Sequence, residues 1–172
     1  MGGRRTVYRG RVVDLGIETA ELPDGRSFPL EVVRHSGGAA VLALDDEARV
    51  WLLRQYRHAA GGWLLEVPAG RIEAGEEPER TARRELAEET GIRAARWSPL
   101  GSILTTPGFC DEVIHLYLAQ GLSFGAARTE AHELIEVRPM PLREAVEQAR
   151  SGRIRDAKTV AALLRAAPWP GP

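Results

Sequence analysis

Residues 70–92 read Gly-Arg-Ile-Glu-Ala-Gly-Glu-Glu-Pro-Glu-Arg-Thr-Ala-Arg-Arg-Glu-Leu-Ala-Glu-Glu-Thr-Gly-Ile, a glycine-bearing acidic loop that runs into an acidic helix. Glu77-Pro78 opens the helix, because proline at an early helical position gives up an N–H that has no partner there. Gly91 closes it. Ala82 and Leu86 turn toward a core, while Glu85, Glu88 and Glu89 stand at i, i+3 and i+4 and project from one face within about one turn. Three like charges so placed destabilise a helix unless a cation sits among them, and hard divalent ions such as Mg²⁺ prefer an oxygen-only, carboxylate-plus-water environment. Such an ion can bridge diphosphate oxygens, offset the charge of the transition state and activate a water for attack on phosphorus. Arg84 reaches Glu88 at i+4 and is placed to orient it. The competing reading is a solvated helix face laced with surface ion pairs.

Around this segment the pattern is one of short strands and turns. Residues 6–13, 17–22 and 27–35 read as strands, with Pro23-Asp24-Gly25 supplying turn chemistry between the last two, so a small antiparallel sheet is expected first. Residues 39–44 and 50–56 are apolar enough to be core strands, and the polar Asp45-Asp46-Glu47 between them predicts a central hairpin. Further strands are expected over 96–104, 113–119 and 134–138, a mobile polar loop over 121–132, and helices over 142–150 and 157–165. No repeat or linker divides the chain, and 172 residues fit one domain that buries a full core without disulfides or a structural metal.

Charge and composition exclude several classes. With 23 Lys and Arg against 24 Asp and Glu, the net charge of −1 offers no general attraction to nucleic acid or an anionic membrane. The single cysteine, Cys110, forms no intramolecular disulfide, and the Met-Gly-Gly-Arg-Arg start lacks the apolar stretch of a signal peptide. No apolar run approaches the ~20 residues that span a bilayer, so a cytoplasmic protein without a membrane partner is expected.

The 70–92 segment also matches a known pattern at every position: Gly70, five residues, Glu76, seven residues, Arg84-Glu85-Leu86, one residue, Glu88-Glu89, one residue, Gly91-Ile92. A chance match of these fixed and hydrophobic positions is on the order of one in a million for such a chain. The segment resembles the Nudix box, and the resemblance extends to Gln55-Tyr56-Arg57-His58, Leu65-Glu66-Val67-Pro68-Ala69-Gly70 and residues 106–112. Pro107, fifteen residues past Ile92 and set in Thr-Pro-Gly-Phe, resembles the marker of ADP-ribose pyrophosphatases.

This resemblance implies an α/β fold, an α/β/α sandwich around a mixed sheet. It divides the single domain 1–172 into an N-terminal antiparallel strand extension (1–36), through which homodimers form, and the Nudix fold proper (37–172). It implies metal-dependent hydrolysis of ADP-ribose or a related ADP-sugar to AMP and a sugar phosphate, with Mg²⁺ as cofactor and Mn²⁺ or Zn²⁺ as alternatives. Carried over residue by residue, the metal ligands are Glu85, Glu88 and Glu89 with the Ala69 carbonyl. Glu133 matches a late-loop glutamate that either acts as base toward water or helps hold metal; Glu88 and Glu89 are the other candidates for base, and Arg84 completes the catalytic set. Arg57, Glu66, Pro107 and Phe28 are the substrate-side candidates. A guanidinium fork at Arg57 suits a diphosphate, with a structural salt bridge to Glu66 the alternative, and Phe28 either stacks on adenine or packs in a core.

The remaining features point to structure. Cys110 reads as a small packed residue, His35, His58, His115 and His132 show no metal-binding spacing, and Trp51, Trp63 and Trp97 read as core. Arg4-Arg5 with Arg9 and Arg11 is too short a basic cluster to imply nucleic acid. Two other functions compete: the same chemistry on GDP-mannose or NADH, and a non-catalytic ADP-ribose sensor, which the undamaged box opposes.

Overall fold

The computed structural model describes residues 3–127 and 134–167. In chain order come β1 (Arg5–Arg9), β2 (Asp14–Glu21), β3 (Ser27–Arg34), β4 (Gly38–Ala43), β5 (Arg49–Arg57) and a 3₁₀ turn (His58–Ala60). They are followed by β6 (Gly62–Glu66), β7 (Ala69–Arg71), α1 (Pro78–Thr90), β8 (Ile92–Leu104), β9 (Val113–Phe124), β10 (Ile135–Pro141), α2 (Leu142–Arg150) and α3 (Ala157–Ala166).

β4 organises the molecule. Each of its residues is buried, and it pairs parallel with β9 on one edge and antiparallel with β7 on the other, inside a mixed sheet of order β7-β4-β9-β8. Alternation along a strand sends successive side chains to opposite faces. Ala40 and Leu42 enter a core closed by Ala145, Val146 and Ala149 of α2 and Ala162 and Leu163 of α3. Ala39, Val41 and Ala43 enter a second core against Ala82 and Leu86 of α1. A strand buried on both faces reads as an unbroken apolar run, and the two cores are the two interlayer spaces of an α/β/α sandwich.

The central hairpin expected between β4 and β5 does not form. Both edges of β4 are taken by β7 and β9, so β5 joins a second sheet of order β10-β5-β6, and among the described residues the only β-bridge between the two segments is the isolated one at Leu44–Val50. The turn between them is nonetheless built by Asp45, whose carboxylate accepts from the backbone N–H groups of Glu47 and Arg49. The loop expected over 121–132 is also displaced, since β9 continues through Gly121 to Phe124 by pairing with the start of β8, where Ile92 lies opposite Phe124. Trp63 is 40% exposed rather than in the core, with the Arg54 guanidinium stacked 4.1 Å from its ring centroid.

β1, β2 and β3 form the expected antiparallel N-terminal sheet. Its link to the body runs through the turn after β8. Val33 N–H donates to the Phe109 carbonyl (2.7 Å), Asp111 N–H to the Val33 carbonyl (3.2 Å), and Arg34 pairs with Asp111 (2.9 Å). Among the described residues no helix is long and apolar enough to cross a membrane.

Candidate active site

α1 packs against β4 and β7, and this contact brings the acidic helix face onto the strand that carries Ala69 and Gly70. Glu89, 5% exposed, accepts a hydrogen bond from the Ala69 N–H through Oε2 (3.0 Å). Glu85 lies directly over Gly70: a Cβ on Gly70 would stand 1.8 Å from Glu85 Oε1. Glycine is therefore required here to leave room for a carboxylate, a close approach that no larger residue permits. The three atoms nearest to a Cβ on Gly70 all belong to the Glu85 side chain, Oε1, Cδ and Cγ at 1.8, 2.1 and 2.8 Å, which must rotate away to admit it. We expect Gly70→Ala to keep its melting temperature within a few degrees while Glu85 is displaced and kcat/KM falls about tenfold or more. Unchanged kcat/KM in the folded variant would show that the position of Glu85 does not matter.

Arg84 is the hub of the acidic segment. Its Nε and Nη2 donate to the two oxygens of Glu76 (3.2 and 3.1 Å), Nη1 donates to Glu85 Oε1 (2.6 Å) and Glu88 Oε2 (3.2 Å), and Nη2 also reaches the Arg71 carbonyl (3.3 Å). The Arg84 hydrogen bonds hold the Glu76 carboxyl down to about 2, against the opposing effect of burial and with help from Thr81. The same contacts raise Arg84 above its ordinary value. Glu76 thus has a structural role, tying the loop before α1 to the helix.

Among the described residues no three His, Cys, Asp or Glu side chains are gathered into a metal cluster, because Arg84 draws Glu85 and Glu88 toward itself while Glu89 turns to Ala69. The donor set still fits a hard divalent ion. Carboxylates at Glu85, Glu88 and Glu89 stand beside the Ala69–Gly70 backbone, all donors are oxygen, and the hollow over Gly70 that a Cβ would fill is kept open for Glu85.

Two adjoining hollows of about 610 and 520 Å³ form one cleft here, and both are lined by His35, Arg57, Ala69, Gly70 and Arg71. The smaller holds Arg84, Glu85, Glu88 and Glu89; the larger is walled by Glu66, Thr105, Thr106, Glu112 and Lys158. Arg57 and Glu66 form a bidentate pair, Nε to Oε1 and Nη2 to Oε2, both at 2.9 Å. Burial works against the charge of Glu66, yet Arg57 and Lys158 together hold its carboxyl below the usual range, and Glu66 in turn raises Arg57. Glu66 is 2% exposed, so its influence on a ligand passes through Arg57, whose Nη1 makes no hydrogen bond among the described residues.

The structure thus brings Glu85, Glu88, Glu89, Arg84, Ala69, Arg57 and Glu66 to one cleft. Pro107 sits in an exposed turn just past the lining residues Thr105 and Thr106, and Phe28 lies on β3, 43% exposed and outside the lining. Glu133, with Glu130 and His132, lies outside the described residues. Sequence reasoning missed Arg11, Val12, His35 and Lys158 as cleft residues. Spacing gives no signal for them, since they reach the cleft from three separate places: Arg11 and Val12 from the β1–β2 connection, His35 from just past β3 and Lys158 from α3. Arg71 donates to the Arg11 carbonyl (3.2 Å) and so ties the N-terminal sheet to the cleft wall.

An acidic helix face set against a glycine-bearing strand, beside a cleft lined by Arg57, has the chemistry of a site that handles phosphate groups with a divalent ion. Residues 34–163 match the family model described as NUDIX domain. The chain is 40% identical to an ADP-ribose pyrophosphatase of Bacillus subtilis over 162 residues, covering 93% of this chain and 88% of that one. It is 42% identical over 159 residues to a methanol dehydrogenase activator of Bacillus methanolicus (91% and 86% covered). It is 38% identical over 163 residues to an ADP-ribose pyrophosphatase of Mycobacterium tuberculosis (92% and 78% covered). The chain belongs to the Nudix family and is a Nudix hydrolase.

Proposed function

We propose that this protein hydrolyses the diphosphate of ADP-ribose, adding water across one P–O bond to release AMP and ribose 5-phosphate. The observation that carries the reading is the convergence of Glu85 and Glu89 on the Ala69–Gly70 strand, with Arg57 on the wall common to both hollows of the cleft. The likeness to two ADP-ribose pyrophosphatases over more than nine-tenths of the chain supports the choice of substrate.

In this reading Glu85, Glu88 and Glu89 with the Ala69 carbonyl would hold Mg²⁺. The ion would supply charge neutralisation for the diphosphate and acidify a water. Arg57 binds the diphosphate through the guanidinium edge that Glu66 leaves open. Arg84 keeps Glu85 and Glu88 at the mouth of the site, and Glu89, seated on the Ala69 N–H, is fixed in position for ligation or for taking a proton from water. The N-terminal sheet presents Val7, Tyr8 and Phe28, and Val12 beside it, at 43–60% exposure, a surface that suits a second copy of the chain; we read the protein as a homodimer. The cytoplasm, which holds nucleotide substrates and free Mg²⁺, is the compartment in which such a site works.

The test is product release from ADP-ribose, ADP-glucose, GDP-mannose, NADH and a diadenosine polyphosphate, with Mg²⁺ and with EDTA. AMP formed fastest from ADP-ribose, and none formed with EDTA, is the expected result. A different best substrate overturns the ADP-ribose assignment, and tight ADP-ribose binding without turnover overturns the enzymatic one in favour of a sensor.

A further inference from the structure

Lys158 enters the cleft wall from α3, 92 residues from Glu66 in sequence, and the chemistry above does not use it. Its side chain is 12% exposed and its Nζ donates to Glu66 Oε2 (2.6 Å) and Asp156 Oδ1 (2.9 Å). Glu66 Oε2 is the same oxygen that accepts from Arg57 Nη2 at 2.9 Å, so one buried carboxylate stands between two cations.

The anchor of Lys158 is itself built in. Asp156 caps α3 by accepting from Thr159 N–H (3.0 Å) and from Thr159 Oγ1 (2.5 Å), and that hydroxyl accepts from Val67 N–H (2.8 Å). The first turn of α3 therefore grips two consecutive residues, Glu66 by its side chain and Val67 by its main chain. Two residues further on, Ala69 N–H is held by Glu89. The stretch from the arginine's partner to the strand under the acidic helix is fixed from both sides.

We propose that Lys158 is a positioning residue for Arg57, sharing the charge of Glu66 and locking its carboxylate so that the arginine keeps an oriented, unneutralised edge for the substrate diphosphate. The proposal rests on the reading of Arg57 as the diphosphate contact. Two physical effects act together. A carboxylate tethered by a second partner loses the freedom to rotate with the guanidinium, and a bidentate fork is useful to a phosphate only when its plane is held. A buried carboxylate answered by Arg57 alone would also cancel the positive potential at the free edge, whereas a second cation leaves part of it uncancelled. Lysine suits the place because a compact ammonium reaches two carboxylates at once in little space.

The experiment is steady-state kinetics of the full chain, wild type, Lys158→Met, Lys158→Arg, Arg57→Ala and the Lys158→Met/Arg57→Ala double variant, on the diphosphate that the wild type hydrolyses fastest. For Lys158→Met, KM is expected to rise about tenfold with kcat within about threefold, and Lys158→Arg, which keeps the charge but not the compact shape, to recover part of the loss. In the Arg57→Ala background Lys158→Met is expected to add no further rise, since it acts through the missing arginine. A folded Lys158→Met with a lowered melting temperature and unchanged KM overturns the proposal, as does a double variant in which the two effects multiply. An unchanged KM in Arg57→Ala instead removes the diphosphate contact on which it rests, and a preference for another diphosphate touches only the substrate assignment. Should Lys158→Met not fold, Lys158→Gln is read by the same criteria.

Discussion

Glu89→Gln is expected to lower kcat by about 10³-fold or more while leaving the fold intact, a loss of about 4 kcal/mol in transition-state stabilisation. Glutamine has the same length and volume as the glutamate, and its carbonyl can still accept from the Ala69 N–H that Glu89 now holds at 3.0 Å. What it lacks is the negative charge, which a divalent ion needs from its ligands and a general base needs for its proton. The melting temperature is expected to change by no more than a few degrees, since the packing of α1 rests on Ala82 and Leu86. Glu88→Gln is expected to follow the same course from an exposed position, its side chain being 48% accessible. The control is Glu79→Gln, an acid in the first turn of the same helix that pairs with Arg83 at 2.7 Å and does not line the cleft. Its kcat should match wild type. If Glu89→Gln and Glu88→Gln retained near-normal turnover, the acidic face would be the ion-paired surface that its composition alone allows.

How much of this could be read beforehand depended on whether a feature was local. The helix 78–90 was legible because its start, its stop and both faces are written in consecutive residues: Pro78, Gly91, Ala82 and Leu86 toward the core, Glu85, Glu88 and Glu89 toward the cleft. The three acids were recognisable as one cluster, and so as a candidate site, for the same reason, their spacing being the helical period. The pairing of strands was less accessible. β4 and β5 look like a hairpin when read locally, but partner choice is decided by β7 and β9, which lie far along the chain and compete for the same edges. β6 and β7 gave little signal because Gly61-Gly62, Val67-Pro68 and Gly70 bound or interrupt them; Gly61 turns the chain ahead of β6 at φ 74°, and Gly70 admits the close approach of Glu85. Arg57 was ambiguous in sequence between a substrate contact and a salt bridge. The structure shows the salt bridge, and among the described residues Nη1 makes no hydrogen bond, so the proposed substrate contact would use the other edge of the same guanidinium. Lys158 and His35 were invisible for a plain reason: a cleft gathers residues by topology, and neither carries a spacing pattern.

Gly91→Ala is expected to destabilise the protein by about 3 kcal/mol, lowering its melting temperature by roughly 6–12 °C. Gly91 ends α1 in the left-handed region, φ 72°, with its N–H donating to the Ala87 carbonyl at 3.0 Å. An L-residue there costs about 1 kcal/mol from backbone strain alone. The larger part comes from the neighbouring chain. A Cβ on Gly91 would stand 2.3 Å from the Gly125 carbonyl oxygen and 2.8 Å from backbone atoms of Ala126 and Ala127, and main chain cannot step aside as a side-chain tip can. Gly152, just past α2, separates the two contributions: its φ is 75°, and a Cβ there would meet nothing within 4 Å. Gly152→Ala should therefore lose only the backbone part, about 1 kcal/mol. Equal losses in the two variants would mean that the approach of residues 125–127 carries no weight. The expected difference has a functional side, because Gly125 N–H donates to the Gly91 carbonyl at 2.9 Å and so pins the end of the helix to the end of β9. Glu89 lies two residues before that pin. A Gly91→Ala protein that is still folded at low temperature should accordingly show a fall in kcat, whereas Gly152→Ala should not, and the contrast would show that the closing glycine of the acidic segment holds the helix in place for its carboxylates as well as ending it.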